Sequence, residues 1–298
     1  MKVTVTGASG LIGRRVVKFL TAANHSVHVL SRSAGEAPAG VRISGWEPMA
    51  GPPPPESLVD ADAVIHLAGE PVAQRWTAGA KRRIRESRVV GTRNLVEGMA
   101  ALPRPPAVLI SSSAVGYYGS RGDEVLTEYA PPGKDFLAEV CQAWEAEAER
   151  AAGLGMRVAT IRTGVVLAET GGALARMTPL FRACLGGVVG SGRQWMSWIH
   201  IDDLAALALH ALAHPVCGPL NGTAPQPATN AEFTRALAET LRRPAWLPAP
   251  GFALRAAFGE MATVLLASQR AIPEAARRAG FSFRYPELRQ AFRNVLRP

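Results

Sequence analysis

The chain begins MKVTVTGASGLIGRRVVKFLTA, residues 1–22, and this stretch decides the fold. Residues 3–6 alternate valine and threonine, which favours a buried β-strand, and a glycine-rich turn follows directly. Beyond the turn, Leu11–Ala22 has the apolar spacing of an amphipathic helix, and Ser26–Leu30 is typical of a second buried strand. A strand, a tight turn, a helix and a second strand predict a parallel βαβ unit at the N-terminus.

The turn GASGLIG, residues 7–13, carries three glycines at the spacing of dinucleotide-binding loops. Gly7 permits the turn from strand to helix, Gly10 lets the backbone approach a pyrophosphate, and Gly13 allows close packing of helix on strand. The pyrophosphate would lie against free N–H groups at the helix N-terminus. A purely structural turn is the alternative, but the flanking strand and helix favour nucleotide binding. We expect the whole turn to contact the cofactor: Gly7, Ala8, Ser9, Gly10, Leu11, Ile12 and Gly13.

The end of the second predicted strand indicates which dinucleotide is bound. In NAD-binding proteins an acidic residue about 20 positions after the glycines binds the ribose 2′-hydroxyl. Residues 29–33 read VLSRS here, and the first carboxylate beyond them is Glu36. Ser31 can donate a hydrogen bond, and Arg32 can bind a 2′-phosphate through its planar guanidinium, although a solvated surface charge is the alternative for Arg32. We therefore predict NADP(H) rather than NAD(H).

Strands and helices alternate along the first 165 residues, which predicts an α/β fold with a doubly wound parallel sheet of the Rossmann type. After Thr163 the alternation fades and the chain looks mainly helical. We expect residues 1–165 to form the dinucleotide-binding domain, to which 188–220 return, and 166–187 with 221–298 to form a smaller substrate or capping region. The predicted strands are Lys2–Thr6, Ser26–Leu30, Ala63–Leu67, Ala107–Ser111 and Arg157–Arg162, and the predicted helices are Leu11–Ala22, Ala80–Ala101, Phe136–Ala152, a buried Phe252–Leu266 and a final Glu287–Leu296.

Composition limits the classes of partner. The chain of 298 residues has a net charge of +9, and all but four of its 33 basic residues are arginines. These charges are spread along the chain without a nucleic-acid reader motif, so an anionic cofactor and an anionic small-molecule substrate are favoured over nucleic acid. The three cysteines show no metal-binding or disulfide spacing. With no apolar run of membrane-spanning length and no signal peptide, we expect a cytoplasmic protein without a membrane partner.

Two sets of segments carry a resemblance to known proteins. The first set, within residues 1 to about 205, is TGASGLIG, DAVIHLAG, SSS, RTGVV and WIHIDDL. It resembles the extended short-chain dehydrogenase/reductase superfamily, which contains sugar-nucleotide epimerases and dehydratases. The second set is GEPVAQRWT, AVGYYG, DFLAEVCQAWEAEA, NGTAPQPATNAEF and SQRAIPEAARRAGFSFRYPEL. With it, almost the whole chain is similar to one atypical branch, whose members are called epimerase family proteins and end in a domain of unknown function.

The resemblance implies an NADP(H)-dependent oxidoreductase or epimerase acting on a small carbonyl or hydroxyl compound, for which nucleotide-linked substrates are one class. In the superfamily a YxxxK tyrosine is the general acid/base, and a serine hydrogen-bonds the reacting oxygen. Ser113 matches the serine, but Leu137 and Cys141 stand where the tyrosine and lysine should be. We hypothesise that Tyr117 or Tyr118 replaces the tyrosine, while Ser113 polarises a carbonyl. The alternative is that both rings only shape the pocket.

Other contacts follow from the same resemblance. The end of the third predicted long strand would lie beneath the adenosine, and the loop after it would reach the cofactor, although Glu70 is equally an ordinary surface carboxylate. The basic run at 80–88 is mostly a solvated helix face, from which Arg88 could meet an anionic ligand. Trp195 with Arg193 could receive an anionic, ring-bearing substrate or simply pack, and His200 is favoured as structural. The additional cofactor contacts expected are Leu67, Ala68, Gly69, Glu70, Arg75, Ser111, Ser112 and Val165.

Two classes of function remain open at this level. The glycine turn and Ser113 favour an enzyme, whereas the missing YxxxK motif favours a non-catalytic NADP(H)-binding sensor or regulatory protein. The distinction depends on whether a titratable group reaches the nicotinamide, and Tyr117, Tyr118 and Cys141 are the candidates. The substrate, the direction of hydride transfer and the oligomeric state, a homodimer included, stay open, and no metal site is expected.

Overall fold

The computed structural model describes residues 1–32 and 40–296. Ser33 and Glu36, which entered the prediction of the cofactor, lie outside the described residues. The strands are β1 (Lys2–Thr6), β2 (Ser26–Ser31), β3 (Val41–Gly45), β4 (Ala63–His66), β5 (Val108–Ala114), β6 (Val125–Leu126), β7 (Arg157–Thr163), β8 (Val165–Leu167), β9 (Trp195–Met196), β10 (Trp198–His200), β11 (Gly218–Gly222), β12 (Ala228–Thr229) and β13 (Arg270–Ala271). The helices are α1 (Leu11–Ala22), α2 (Ala78–Ala100), α3 (Phe136–Glu149), α4 (Gly172–Arg182), α5 (Ile201–Ala213), α6 (Asn230–Leu241), α7 (Gly251–Phe258), α8 (Ala262–Leu266), α9 (Glu274–Arg278) and α10 (Leu288–Val295).

The centre of the molecule is a seven-stranded sheet in the order β11-β7-β5-β4-β1-β2-β3, in which every neighbouring pair is parallel. Val3 and Val5 of β1 are almost completely buried, because β1 is a central strand between β2 and β4. Helices α1 and α5 pack together, as do α2 and α3, and apolar core clusters place the two pairs against the sheet. The predicted α/β class with a doubly wound parallel sheet is therefore confirmed.

The sheet contains two strands that the sequence did not reveal. All five predicted strands are present, with ends that differ by a few residues, and β3 and β11 extend the sheet at its two edges. Their sequences, VRISG and GPLNG, are short and mix apolar with small or turn-forming residues. Only Val41 of β3 is buried, so its sequence carries a weak apolar signal. β11 is buried from Leu220 to Gly222, but glycine, proline and asparagine stand where an apolar run would mark a strand.

The strand order creates a crevice at the carboxyl end of β1. From β1 the chain runs outward through β2 to β3, and it then crosses back to β4 on the other side of β1. The connections that leave β1 and β4 therefore diverge, and ligands of open α/β sheets bind at such a topological switch point. The glycine turn at 7–13 lies at this position.

The C-terminal part differs from expectation in one respect. The predicted buried helix Phe252–Leu266 is wrong: α7 and α8 are separate, and no residue of α7 is buried. Gly259 ends α7 with a φ of 62°, in the left-handed region that interrupts a helix. Phe252 is 75% exposed and α7 covers no core, whereas Met261 and Ala262 beyond it are buried. Helix α10 confirms the predicted final helix, and no helix in the described parts of the chain is long and apolar enough to span a membrane.

Candidate cofactor site

The glycine turn is closely packed against the end of β4. Gly7 has a φ of +68°, and a Cβ atom there would lie 2.6 Å from the carbonyl carbon of Leu67. A Cβ atom on Gly13 would lie 2.2 Å from the carbonyl oxygen of Gly7. A side chain at either position would collide with backbone, so the turn, α1 and the β4 loop can approach this closely only with glycine.

The N-terminus of α1 is open. Gly10 is its N-cap residue, no side chain of the described residues caps the helix, and the first turn carries no acidic residue. The first N–H groups of an α-helix have no intrahelical acceptor, and the helix dipole adds partial positive charge at that end. The turn therefore offers a site for an anionic group beside the crevice, as a pyrophosphate requires.

A buried hydrogen-bond network joins the two strands that flank the crevice. The Thr6 hydroxyl accepts hydrogen bonds from the backbone N–H of Leu67 at 3.1 Å and of Ala68 at 3.2 Å. The same hydroxyl lies 2.7 Å from Nδ1 of His66, whose Nε2 lies 2.9 Å from the Thr92 hydroxyl. Burial lowers the pKa of His66 to about 4, and Arg88 adds to this, so the ring is neutral. The network fixes the backbone that faces the glycine turn.

The crevice opens into a cleft of about 420 Å³. The predicted contacts that line the cleft are Gly7, Ser9, Gly10, Ser31, Arg32, Leu67, Ala68, Gly69 and Glu70. The predicted contacts that are not among its lining residues are Ala8, Leu11, Ile12, Gly13, Arg75, Ser111, Ser112 and Val165. The lining also includes residues that the sequence analysis did not select: Leu30, Trp46, Glu47, Pro48, Met49, Pro71, Arg83 and Ser87.

Trp46–Met49 follow the edge strand β3, so no predicted element pointed to them. Trp46 is anchored by a hydrogen bond from its indole Nε1 to the carbonyl oxygen of Gly51, at 2.9 Å. Among the predicted contacts outside the lining, Arg75 is exposed, whereas Ser111 is buried within β5. The cleft thus has a wall after β3 that sequence spacing alone did not indicate.

Two arginines of α2 approach the cleft from its other side. The Arg83 Nε lies 3.7 Å from the Glu70 carboxylate. The Arg88 Nη1 donates 3.0 Å hydrogen bonds to the carbonyl oxygens of Glu70 and Ile84. Burial lowers the pKa of Arg88. The basic run of α2 therefore includes Arg83 in the cleft lining and Arg88 directly behind it.

Ser113 belongs to a buried ionic network instead of standing free. Its hydroxyl donates to Oε1 of Glu145 at 2.6 Å. Arg162 donates to both oxygens of the same carboxylate, at 2.9 Å from Nε and 2.7 Å from Nη2. Because the only proton of Ser113 is used, its oxygen can accept a hydrogen bond but cannot donate another in this arrangement. Burial, together with Glu145, raises the pKa of the neighbouring Cys141 thiol to about 11, so the thiol is neutral.

The two tyrosines lie on the far side of this network. Tyr118 is fully buried, and its hydroxyl donates to Oδ1 of Asn221 at 2.7 Å and accepts from Nη1 of Arg162 at 3.1 Å. Burial is the main cause that raises the Tyr118 pKa to about 12. The Tyr117 ring packs on the Arg162 guanidinium and lines a separate groove with Glu145. Neither tyrosine is among the lining residues of the cleft beside the glycine turn, and nor is Ser113. The replacement of the missing tyrosine by Tyr117 or Tyr118 stays a prediction.

The remaining candidates have partners within the fold. The Trp195 indole donates to Asp123 at 2.8 Å, and its ring packs against Arg270. His200 accepts from the backbone N–H of Asp202 at 3.0 Å and stacks on Tyr285. Within residues 1–32 and 40–296 no group of three or more His, Cys, Asp or Glu side chains is arranged to hold a metal ion.

Comparison with known proteins identifies the family. The sequence profile of the NAD dependent epimerase/dehydratase family matches residues 3–223, and that of a domain of unknown function, DUF1731, matches residues 249–295. The chloroplastic homolog of epimerase family protein SDR39U1 from Arabidopsis thaliana is 44% identical and aligns with 99% of this chain and 87% of its own length.

Two crystal structures are similar over nearly all of this chain. Human epimerase family protein SDR39U1 (isoform 2) with NADPH has a TM-score of 0.89 and 35% identity, with 99% of each chain covered. A nucleoside-diphosphate sugar epimerase from Corynebacterium glutamicum has a TM-score of 0.80 and 38% identity, with 99% of this chain and 58% of that chain covered. The profile match, the identity along almost the full length and the shared fold agree with the resemblance seen in the sequence motifs, and the chain belongs to the NAD dependent epimerase/dehydratase family.

Proposed function

We propose that this protein binds NADP(H) in the cleft at the end of β1 and uses it as an oxidoreductase or epimerase on a small carbonyl or hydroxyl compound. The observation that carries the proposal is the cleft itself. It joins an uncapped helix N-terminus, a glycine turn without room for side chains, and a basic strand end at Arg32. The NADPH in the crystal structure of the human relative supports the same cofactor.

Each part of the dinucleotide has a chemically suitable place. The pyrophosphate would accept hydrogen bonds from the backbone N–H groups after Gly10. The 2′-phosphate would lie between Ser31 and Arg32, with Arg83 adding positive charge from α2. The adenine would lie against the apolar wall that includes Met49 and Leu67. Arg83 Nε lies 3.7 Å from the Glu70 carboxylate. We expect the Arg83 guanidinium to weaken this ion pair and to contact the 2′-phosphate when the cofactor binds.

The bound cofactor would supply or accept a hydride. On the protein side, the Ser113 oxygen would accept a hydrogen bond from a substrate hydroxyl, because its own proton is held by Glu145. Arg88 would add positive charge to the cofactor site from behind Gly69. We also propose that 166–187 and 221–298 cover the substrate side and that the substrate is anionic, in keeping with the net charge of +9. The nucleoside-diphosphate sugar epimerase named above supports a nucleotide-linked compound as one candidate.

A specific observation also favours a second function, a non-catalytic NADP(H)-binding sensor. Two groups that could replace the missing tyrosine and lysine are not available for proton transfer. Tyr118 is buried with its hydroxyl engaged, and the Cys141 thiol has a raised pKa of about 11. Leu137 occupies the tyrosine position and cannot exchange a proton. A protein that binds the cofactor without turning it over would need none of these groups.

Calorimetric titration with NADPH and NADH, followed by NADPH oxidation assays with a panel of carbonyl compounds, separates the possibilities. Preferential binding of NADPH with turnover of any panel member would support the enzyme. The same preferential binding of NADPH, but no turnover of any nucleotide-linked or free carbonyl compound, would favour the sensor. Absence of binding, or a preference for NADH, would contradict the assignment of the cleft and of Arg32.

A further inference from the structure

A second groove lies outside the cofactor cleft, between α6 and the segment that follows it. Its volume is about 650 Å³, and none of its lining residues lines the cofactor cleft. One wall is a face of α6, and the other is the chain after the helix end. The lining residues are Val188, Ala231, Thr234, Arg235, Ala238, Glu239, Arg242, Arg243, Pro244 and Ala245.

The polar lining is positively charged. Arg235, Arg242 and Arg243 are exposed at the groove, and among the described residues no ion pair within 4.0 Å joins any of them to a carboxylate. The single acidic residue of the lining, Glu239, is paired with Nη2 of Arg289 from α10 at 2.9 Å. The lining therefore carries three guanidinium groups against one carboxylate that is already paired, and this excess of positive charge favours an anionic ligand.

A buried hydroxyl in the same wall also lacks a partner. Thr234 is 2% exposed, and its Oγ1 has no hydrogen-bond partner among the described residues. Thr240 in the same helix shows the usual alternative, because its hydroxyl donates to the carbonyl oxygen of Ala236 at 2.8 Å. A buried hydroxyl without a partner is costly. Because Oγ1 has almost no accessible surface, a rotation of the Thr234 side chain towards the groove that it lines would let a ligand oxygen satisfy the hydroxyl.

The backbone at the helix end is unusual. Arg242 has a φ of 53° and a ψ of 44°, the left-handed conformation that favours glycine after a helix. A non-glycine residue there destabilises the fold, so glycine would be better for stability alone. The chain instead places a guanidinium at this position, beside the one on Arg243.

We propose that this groove binds a small organic anion, a phosphate or carboxylate attached to an apolar body. The anionic group would be held by Arg242 and Arg243 and would accept a hydrogen bond from Thr234. The apolar body would cover Val188 and the alanines of the lining. The site is independent of the proposed cofactor site, because the two share no lining residue.

The test uses n-hexyl phosphate as the probe in calorimetric titrations of the full chain with NADPH present in excess. Inorganic phosphate and hexanol supply the charge and the apolar body separately. We expect hexyl phosphate to bind more tightly than inorganic phosphate or hexanol. The double variant R242Q/R243Q should lower the affinity for hexyl phosphate about tenfold or more. The matched control R85Q/R104Q removes two arginine charges outside the groove and should change the affinity less than about twofold.

Two further variants separate binding from folding. Thr234→Val keeps the shape of the side chain and should weaken the probe several-fold. Arg242→Gly should raise the melting temperature while it weakens the probe, because it relieves the backbone and removes the guanidinium. No saturable binding of hexyl phosphate by the unmodified protein would overturn the proposal. Equal affinity in the unmodified protein and R242Q/R243Q, or an equal loss in R85Q/R104Q, would overturn it as well.

Discussion

The Thr6 hydroxyl at the end of β1 lies 2.7 Å from Nδ1 of His66 at the end of β4, and this contact fixes the tautomer of the histidine. Thr6 already accepts the backbone N–H groups of Leu67 and Ala68, so its own proton must go to Nδ1. The ring proton therefore sits on Nε2 and is donated to Thr92. A second ring proton would face a hydroxyl whose lone pairs are occupied, in a site without solvent.

This geometry predicts a loss of stability in acid. Because burial lowers the folded-state pKa of His66 to about 4, below the unfolded value of 6.5, the unfolded chain binds the proton first as the pH falls. The stabilisation is complete above pH 6.5 and is lost as the pH falls to about 4, by roughly 3 kcal/mol. Urea unfolding measured at intervals across this range gives the slope.

His66→Gln is the matched variant, because an amide can accept from Thr6 and donate to Thr92 without titrating. Its free energy of unfolding should fall less steeply between pH 6.5 and 4 than that of the unmodified protein. Other groups titrate in both proteins, and the difference between the two curves isolates His66. Parallel curves would show that the histidine is not held neutral.

Cofactor preference provides the second prediction. Arg32→Gln should lower the affinity for NADPH about tenfold to a hundredfold and leave that for NADH within about twofold, because only NADPH carries the 2′-phosphate. Arg83→Gln should act in the same direction more weakly, since Arg83 also contacts Glu70. Calorimetric titrations measure both, and Arg85→Gln, an exposed arginine of the same helix, is the control. Equal losses for NADPH and NADH would mean that Arg32 does not contact the 2′-phosphate.

The fold could be predicted because its signals are local. The valine–threonine alternation of β1, the glycines at 7, 10 and 13, and the apolar stripe of α1 each follow from short-range sterics and burial. The edge strands were not predicted for two reasons. β3 has a single buried residue, Val41, and β11, although buried from Leu220 to Gly222, consists mainly of glycine, proline and asparagine. The exposed α7 was misjudged because an apolar sequence shows what a segment can bury and not whether a partner surface exists.

The site was only partly predictable for a different reason. The glycine turn and Arg32 each follow directly after a strand. Residues at the carboxyl ends of neighbouring parallel strands lie close together, so their positions in the sequence were enough to predict their proximity. Tyr118 is also close to Ser113 along the chain. However, it lies in a 3₁₀ turn that directs its ring into the core towards Asn221. Arg83 lies far along the chain from the glycine turn, within a basic run in which no pattern distinguishes it from its exposed neighbours. Its role depends on how α2 crosses the sheet, a tertiary property.

The third prediction concerns Gly13. Alanine normally stabilises a helix interior relative to glycine, but a Cβ atom here would lie 2.2 Å from the Gly7 carbonyl oxygen. Gly13→Ala should therefore cost about 3 kcal/mol or more in the free energy of unfolding, because the backbone must shift. Gly153→Ala is the control, since no atom lies within 4 Å of its added Cβ, and it should stay within about 0.5 kcal/mol. Similar stability of the two variants in chemical denaturation would contradict the close packing of α1.

The tyrosines provide the fourth prediction. Tyr118→Phe should reduce the free energy of unfolding by about 1 to 3 kcal/mol, because Asn221 loses a donor and Arg162 an acceptor in a buried site. NADPH affinity should not change. Tyr117→Phe should be nearly neutral for stability. If the unmodified protein turns over a substrate, both Tyr117→Phe and Tyr118→Phe should keep that activity. A Tyr117→Phe variant that is as stable as the unmodified protein but inactive would support Tyr117 as the acid/base.

The last prediction concerns the ion pair beneath Ser113. The Arg162 side chain is 4% exposed and that of Glu145 15%, so Glu145→Gln leaves a buried guanidinium without its counter-charge. The free energy of unfolding should fall by about 3 to 5 kcal/mol, and Glu145→Gln combined with Arg162→Met should recover part of the loss. Glu260→Gln removes the exposed partner of Lys81 and should cost less than about 1 kcal/mol.

Urea denaturation measures these changes in stability, and turnover assays of the same variants test what Ser113 can do. In Glu145→Gln the amide is a weaker acceptor, so the Ser113 proton becomes available to a substrate oxygen. Turnover is measured at a temperature at which Glu145→Gln is fully folded, so that lost stability does not lower it. If Ser113 acts by accepting a hydrogen bond from a substrate hydroxyl, turnover in the oxidative direction should still fall. If turnover rises in the reductive direction instead, donation from Ser113 to a carbonyl limits the reaction, and the carboxylate restrains the serine in the unmodified protein.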